Sequence, residues 1–162
     1  MKQKTAVLGV FAAAAIILGY VESLIPFFVG TPGIKLGLAN LAVLLLLLRH
    51  NVKEAALVSV VRILVIGFLF GSLFSILYSL AGAALSLCVM GLLCRFTDMS
   101  PIGISVAGGV SHNVGQLLCA ALVLGSTHIF YYAPALLVAG VVAGIVIGTL
   151  TREIDRRLPP GF

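Results

Sequence analysis

Four groups of polar residues interrupt a strongly apolar chain. Arg62 lies in Val60-Val61-Arg62-Ile63-Leu64, near the middle of an apolar run over 52–70. Insertion scales charge about 2.5–3.5 kcal/mol for arginine at that depth, and such residues face a bundle interior or a watery cavity and have a partner. Arg62 therefore either makes a buried pair or carbonyl bonds, or contacts an anionic or polar ligand. Glu22 is an acidic residue within a span, near its outer end, placed to neutralise Arg62 or Lys35 or to touch a ligand. Ser111-His112-Asn113 with Gln116 forms the third group. His112 and Gln116 are four apart and share a helical face, while Asn113 lies on a neighbouring strip. Such side chains serve as interhelical hydrogen-bond glue at about 0.6–2 kcal/mol each, or they share a cavity with Arg62. In Thr31-Pro32-Gly33-Ile34-Lys35 an N-cap, a first-turn proline and a lysine coincide. A cation there opposes the helix dipole by about 0.3–1 kcal/mol unless an anion is bound. Either an anion binds at that mouth or Lys35 snorkels to the interface.

These residues need a membrane bundle to position them. Of 162 residues, 61% are hydrophobic and 9% charged, with a mean hydropathy of +1.23, whereas a soluble domain carries roughly a quarter charged residues. The net charge of +5 in so apolar a chain points to charge sorting across a bilayer and excludes nucleic acid as a partner. At about 20 residues per span the chain accommodates six helices in a single transmembrane domain, 1–162. The spacing predicts them at about 5–25, 32–49, 52–70, 72–94, 101–124 and 133–150. The first run resembles a signal peptide but leads to no small-residue cleavage site, so it is expected to be retained. Asn51 and Glu54 form a capping-box pattern, and Pro101 suits a first helical turn. No nucleotide-binding motif is present, so any energised activity draws on a partner or a gradient. His112 has no second histidine or carboxylate nearby in sequence, which argues against a metal site, and His128 is expected to be exposed. Cys88, Cys94 and Cys119 lack metal or disulfide spacing and read as packing residues. No cofactor is expected.

Six spans put both termini on one side, with Lys2, Lys4, Arg49, Lys53, Arg95, Arg152, Arg156 and Arg157. The positive-inside rule makes that side cytoplasmic. Phe27, Phe28, Phe68, Phe70, Phe74, Phe130, Tyr131 and Tyr132 map to the outer half, as an interfacial belt or as the lining of an outward-facing pocket. Gly140, Gly144 and Gly148 form a GxxxGxxxG face for close packing, and Ser75, Ser79, Gly82 and Ser86 mark a small polar stripe facing the bundle. Gly9 with Ala13 and Ala15 with Gly19 give the first helix small-residue faces suited to internal packing or to docking another membrane subunit.

The stretch Pro32-Gly33-Ile34-Lys35-Leu36-Gly37-Leu38-Ala39-Asn40-Leu41, the arginine of Val60-Val61-Arg62-Ile63-Leu64, and Ser111-His112-Asn113-Val114-Gly115-Gln116 resemble the family known both as Gx transporter and as heptaprenyl diphosphate synthase component I. The resemblance covers nearly the whole chain. That family is similar in size and layout to the substrate-binding (S) subunits of energy-coupling-factor (ECF) importers. The resemblance implies a multi-pass protein of the bacterial cytoplasmic membrane that captures a vitamin- or cofactor-like small molecule from outside. It further implies partnership with a transmembrane subunit and two cytoplasmic ATPases, docked through Gly9, Ala13, Ala15 and Gly19, with the loop 26–35 as a lid. Arg62, Lys35, His112, Asn113, Gln116, Glu22 and Asn40 are then the expected ligand contacts. The alternative is a noncatalytic membrane component of heptaprenyl diphosphate synthase. Prenyl diphosphate synthases hold magnesium on aspartate-rich motifs, and Asp98 and Asp155 stand isolated here. No catalytic residue is expected in this chain.

Overall fold

A computed structural model describes residues 2–24 and 37–159. Six α-helices follow one another: α1 (Lys2–Leu24), α2 (Leu38–Arg49), α3 (Val52–Phe70), α4 (Leu73–Phe96), α5 (Pro101–Leu124) and α6 (Ala133–Arg157), with a 3-10 turn at Thr127–Tyr132. Local chemistry sets most of the boundaries. Asn51 caps α3 by accepting the Glu54 N–H at 2.9 Å, and its own amide donates to the Glu54 carboxylate at 2.8 Å. Ser72 accepts the Ser75 N–H ahead of α4, and Ser100 accepts the Gly103 N–H with Pro101 opening α5.

Two boundaries differ from expectation by more than three residues. Within the described residues α2 starts at Leu38 rather than at 32, and the Thr31–Lys35 signal lies outside them. At the other end α6 runs to Arg157, seven residues beyond 150. The extension is held from outside the helix, because Arg49 at the end of α2 binds the last turn of α6. Its Nε donates to the Asp155 carboxylate at 2.6 Å. Its two terminal nitrogens donate to the Asp155, Leu158 and Pro159 carbonyls at 2.5, 3.3 and 2.9 Å. The Asp155 carbonyl is among those that a helix leaves unpaired at its C-terminus, the other two follow directly after α6, and a cation there also suits the helix dipole.

The helices form two groups of three, α1–α3 and α4–α6, joined through α3 against α4 and α2 against α6. Glycine fixes the tightest contact. A Cβ added to Gly148 would fall 2.6 Å from the Ile102 Cα, to Gly144 2.5 Å from the Val106 Cα, and to Gly140 2.9 Å from the Gly109 carbonyl oxygen. The GxxxGxxxG face of α6 thus packs antiparallel on α5, as its spacing suggests. Lipid is as apolar as a leucine side chain, so close backbone approach of this kind drives association in a bilayer.

The main apolar core occupies one end of the bundle. It gathers Phe11 and Ala15 of α1, Ala42 through Leu47 of α2, Ala55 and Val58 of α3, and Leu87, Met90, Ile104 and Ile147 of the other half. The basic residues Arg49, Lys53, Arg95, Arg152, Arg156 and Arg157 lie in the helix segments and turns of that same end. Four segments are long and apolar enough to cross a membrane: α1, α4, α5 and α6 with its 3-10 lead-in. The described part of α2 has 12 residues, and α3 carries Lys53, Glu54 and Arg62 within its 19.

Candidate functional site

Between the two helix groups, beyond the apolar core, lies a cavity of about 90 Å³. Leu44, Met90 and Ile147, all members of that core, contribute apolar lining. Polar side chains come from five helices: Glu22 from α1, Asn40 from α2, Arg62 from α3, Ser79 and Ser86 from α4, and Ser105, His112, Asn113 and Gln116 from α5. A second cavity of about 110 Å³ shares Glu22, Arg62 and Ser79 with the first and reaches Phe70, Gly71 and Ser75 at the α3–α4 turn. The two cavities thus adjoin at Glu22, Arg62 and Ser79, one in the middle of the bundle and the other toward the end opposite the basic residues.

Arg62 is positioned by a relay of hydrogen bonds through the start of α2. Its terminal nitrogen donates to the Asn40 Oδ1 at 2.6 Å. The Asn40 N–H in turn donates to the Gly37 carbonyl at 2.8 Å, and the Gly37 N–H donates to the Glu22 carboxylate. Gly37 has φ +75°, a conformation that glycine adopts without the Cβ clash other residues incur. Its own position supplies no side-chain cap for α2. Glu22 fills that role from α1, placing negative charge at the positive end of the helix. A carboxylate of the chain itself thus sits at Gly37, while the Thr31–Lys35 mouth, where an anion was expected, lies outside the described residues. Lys35 lies outside the described residues.

The polar group on α5 divides between packing and cavity. The Asn113 amide donates to the Leu136 carbonyl of α6 at 2.6 Å, so it joins helices while also lining the cavity. Ser86 donates to the Gly108 carbonyl at 2.9 Å and Ser111 to that of Ala107 at 2.6 Å. His112 and Gln116 sit against Gly82 of α4, where an added Cβ would come within 2.9 Å of the His112 Nε2 and 2.8 Å of the Gln116 Cγ. Gln116 is 3% exposed. The Arg62 Nε is buried without a hydrogen-bond partner. A buried donor left unmatched costs about 1–3 kcal/mol or more, so its presence beside a cavity calls for an explanation.

Six of the seven anticipated ligand contacts, Glu22, Asn40, Arg62, His112, Asn113 and Gln116, line this one cavity. Gly37 and Ser105 also line it and were not anticipated. Gly37 carries a signal only in its left-handed backbone, and Ser105 is one isolated serine in an apolar run. The docking residues on α1 divide. Gly9 and Ala13 are exposed, and a Cβ on Gly9 would meet nothing within 4 Å. Ala15 is fully buried, and Gly19 packs on Ile66, so both face the interior and are closed to an outside partner. Phe68, Phe74, Phe130, Tyr131 and Tyr132 are exposed and fit a belt at the membrane surface, whereas Phe70 also lines the second cavity. Cys88 is exposed rather than packed inside and borders an apolar groove between α4 and α5 with Cys119. His128 is exposed and stacks on Tyr131.

Comparison with known families adds one decisive observation, a match to the family model for heptaprenyl diphosphate synthase component I over residues 11–154. The chain belongs to that family. The match takes in every helix that lines the cavity, from Glu22 to Ile147. No curated protein and no solved structure matches the chain. Membership in the component I family thus rests on sequence pattern along most of the chain, and the site rests on the geometry described above.

Proposed function

We propose that this protein is the membrane subunit of a larger complex and that it holds a small anionic compound in the central cavity. The observation that carries this reading is the unpartnered Nε of Arg62, buried in a polar cavity that a second adjoins toward the end opposite the basic residues. In this reading the chain is one domain of six spans, with α2 and α3 crossing in the shelter of the other helices. Both termini lie at the basic, cytoplasmic face, and the cavity path leads to the exterior. In its first form this reading makes the chain the capture subunit of an ECF-type importer in a bacterial cell membrane. A transmembrane subunit docks on the exposed Gly9–Ala13 side of α1, and two cytoplasmic ATPases supply the energy. Arg62, with Asn40, His112, Asn113 and Gln116, contacts the ligand, Glu22 holds the start of α2, and Lys35 belongs to the mouth of the site.

The family's description favours a second reading, in which the chain is a noncatalytic component I that assembles with a separate prenyl diphosphate synthase subunit. The sequence's two aspartates, Asp98 and Asp155, are far apart and form no magnesium-binding motif, so catalysis would belong to the partner. Purification of the tagged native protein in mild detergent, with mass spectrometry of its partners and bound small molecules, separates the two. The importer form predicts two ATPases and a second membrane protein, lost on Gly9→Leu with Ala13→Leu. Recovery of a prenyltransferase without ATPases would reject the importer form and support the family description literally.

A further inference from the structure

The groups that the cavity leaves uncommitted narrow the class of ligand, an inference that rests on the binding role proposed above. Most polar lining groups already have partners in the protein. Glu22 accepts from the Gly37 N–H, Ser86 donates to Gly108, and Asn113 donates to Leu136. Two groups stand apart. The Arg62 Nε is buried and unpartnered, and the Gln116 amide, on a side chain 3% exposed, makes no hydrogen bond among the described residues. Gly82 is the reason Gln116 can sit there, since any larger residue at that position would push into its Cγ.

Each of these groups has a definite complement. Arg62 is the one cation lining either cavity among the described residues. The Glu22 charge is already placed at the N-terminus of α2. A single acidic group on a ligand would meet the Arg62 Nε with the least excess of charge beside Glu22, which lines the same cavities. A diphosphate, with about three charges, would bring an excess that a membrane interior resists. A glutamine amide offers a donor and an acceptor side by side, and its best partner is an edge that offers the reverse pair, such as a cis-amide or ureide. Burying such an edge beside an unmatched amide satisfies both, while an apolar ligand would leave Gln116 unpaired. Cavities of about 90 and 110 Å³ confine the whole to a compact molecule.

We infer that the ligand is a compact monoanion with an amide- or ureide-like edge, its acid group on Arg62 and its edge on Gln116. Calorimetry on the full-length protein in lipid nanodiscs tests this with four probes: orotate, which has both features, uracil, which lacks the acid, benzoate, which lacks the edge, and inorganic pyrophosphate. Orotate is expected to bind tighter than uracil and than benzoate by roughly 10- to 100-fold. Arg62→Gln should remove its advantage over uracil, and Gln116→Leu its advantage over benzoate. Equal affinity for orotate and benzoate, or tightest binding of pyrophosphate, would overturn the assignment from the wild-type protein alone. Thiol labelling of Ser79→Cys, in a background lacking the native cysteines, separates the two levels of the argument. A labelled cavity that binds none of the probes rejects the ligand class only, whereas an unlabelled one that binds none rejects the binding role as well.

Discussion

Replacing Gly144 by leucine should lower the thermal midpoint of the detergent-solubilised protein by roughly 2–12 °C, the shift expected from overpacking by about 1–3 kcal/mol in a chain of this size. A Cβ at this position would lie 2.5 Å from the Val106 Cα and 2.9 Å from both the Val106 nitrogen and the Ser105 carbonyl oxygen. All three are backbone atoms, so no rotamer change relieves the contact and α5 must separate from α6. The same change at Gly9 is the control. Nothing lies within 4 Å of a Cβ there, so Gly9→Leu should leave the midpoint unchanged. Equal shifts for the two variants would mean that the α5–α6 contact does not hold the bundle together.

Arg49→Ala should loosen the end of α6 more than any single change on α6's own surface. Arg49 is 17% exposed at its side chain and makes four hydrogen bonds to Asp155, Leu158 and Pro159. Hydrogen bonds to a charged group contribute about 1.5–3 kcal/mol each, and bonds from one side chain do not add in full. Amide exchange over 153–158 should therefore accelerate roughly 10- to 100-fold, at about tenfold per 1.4 kcal/mol. Arg157→Ala removes only the exposed pair with Glu153, at 2.6 Å along the same helix. Solvent screening leaves such pairs with little effect, so exchange in that segment should stay as it is. Comparable acceleration in both variants would show that α6 holds its own last turns without α2.

These effects also mark what the sequence discloses. The starts of α3 and α5 were legible because Asn51, Glu54, Ser100 and Pro101 act within one turn of themselves. The convergence of Arg62 with His112, Asn113 and Gln116 was legible for another reason, since polar groups at one depth of a bundle have few places to point other than inward. The start of α2 was not legible. Its cap is Glu22, fifteen residues earlier on another helix, a partner that no local pattern around Gly37 announces. The length of α6 was hidden likewise, because the Arg49 that holds it lies 106 residues from Asp155. On α1, an alanine-rich run carries too little contrast between faces to fix its rotation. That is why Ala15 and Gly19, which spacing groups with Gly9 and Ala13, turn out to face inward.

The central claim is that a polar cavity at Arg62 is reached from the face opposite the basic residues, and that this face is outside the cell. Its most direct test is labelling in intact cells with a membrane-impermeant thiol reagent, using single cysteines at Ser75, Ser79 and Met99 in place of the native three. Ser75 lines the second cavity near the α3–α4 turn, Ser79 lies where the two cavities meet, and Met99 is exposed in the turn after Arg95 at the basic end. The account predicts that Ser75→Cys and Ser79→Cys react in intact cells, while Met99→Cys reacts only after the membrane is permeabilised. Reaction of Met99→Cys in intact cells, with the other two protected, would invert the topology and contradict capture from outside.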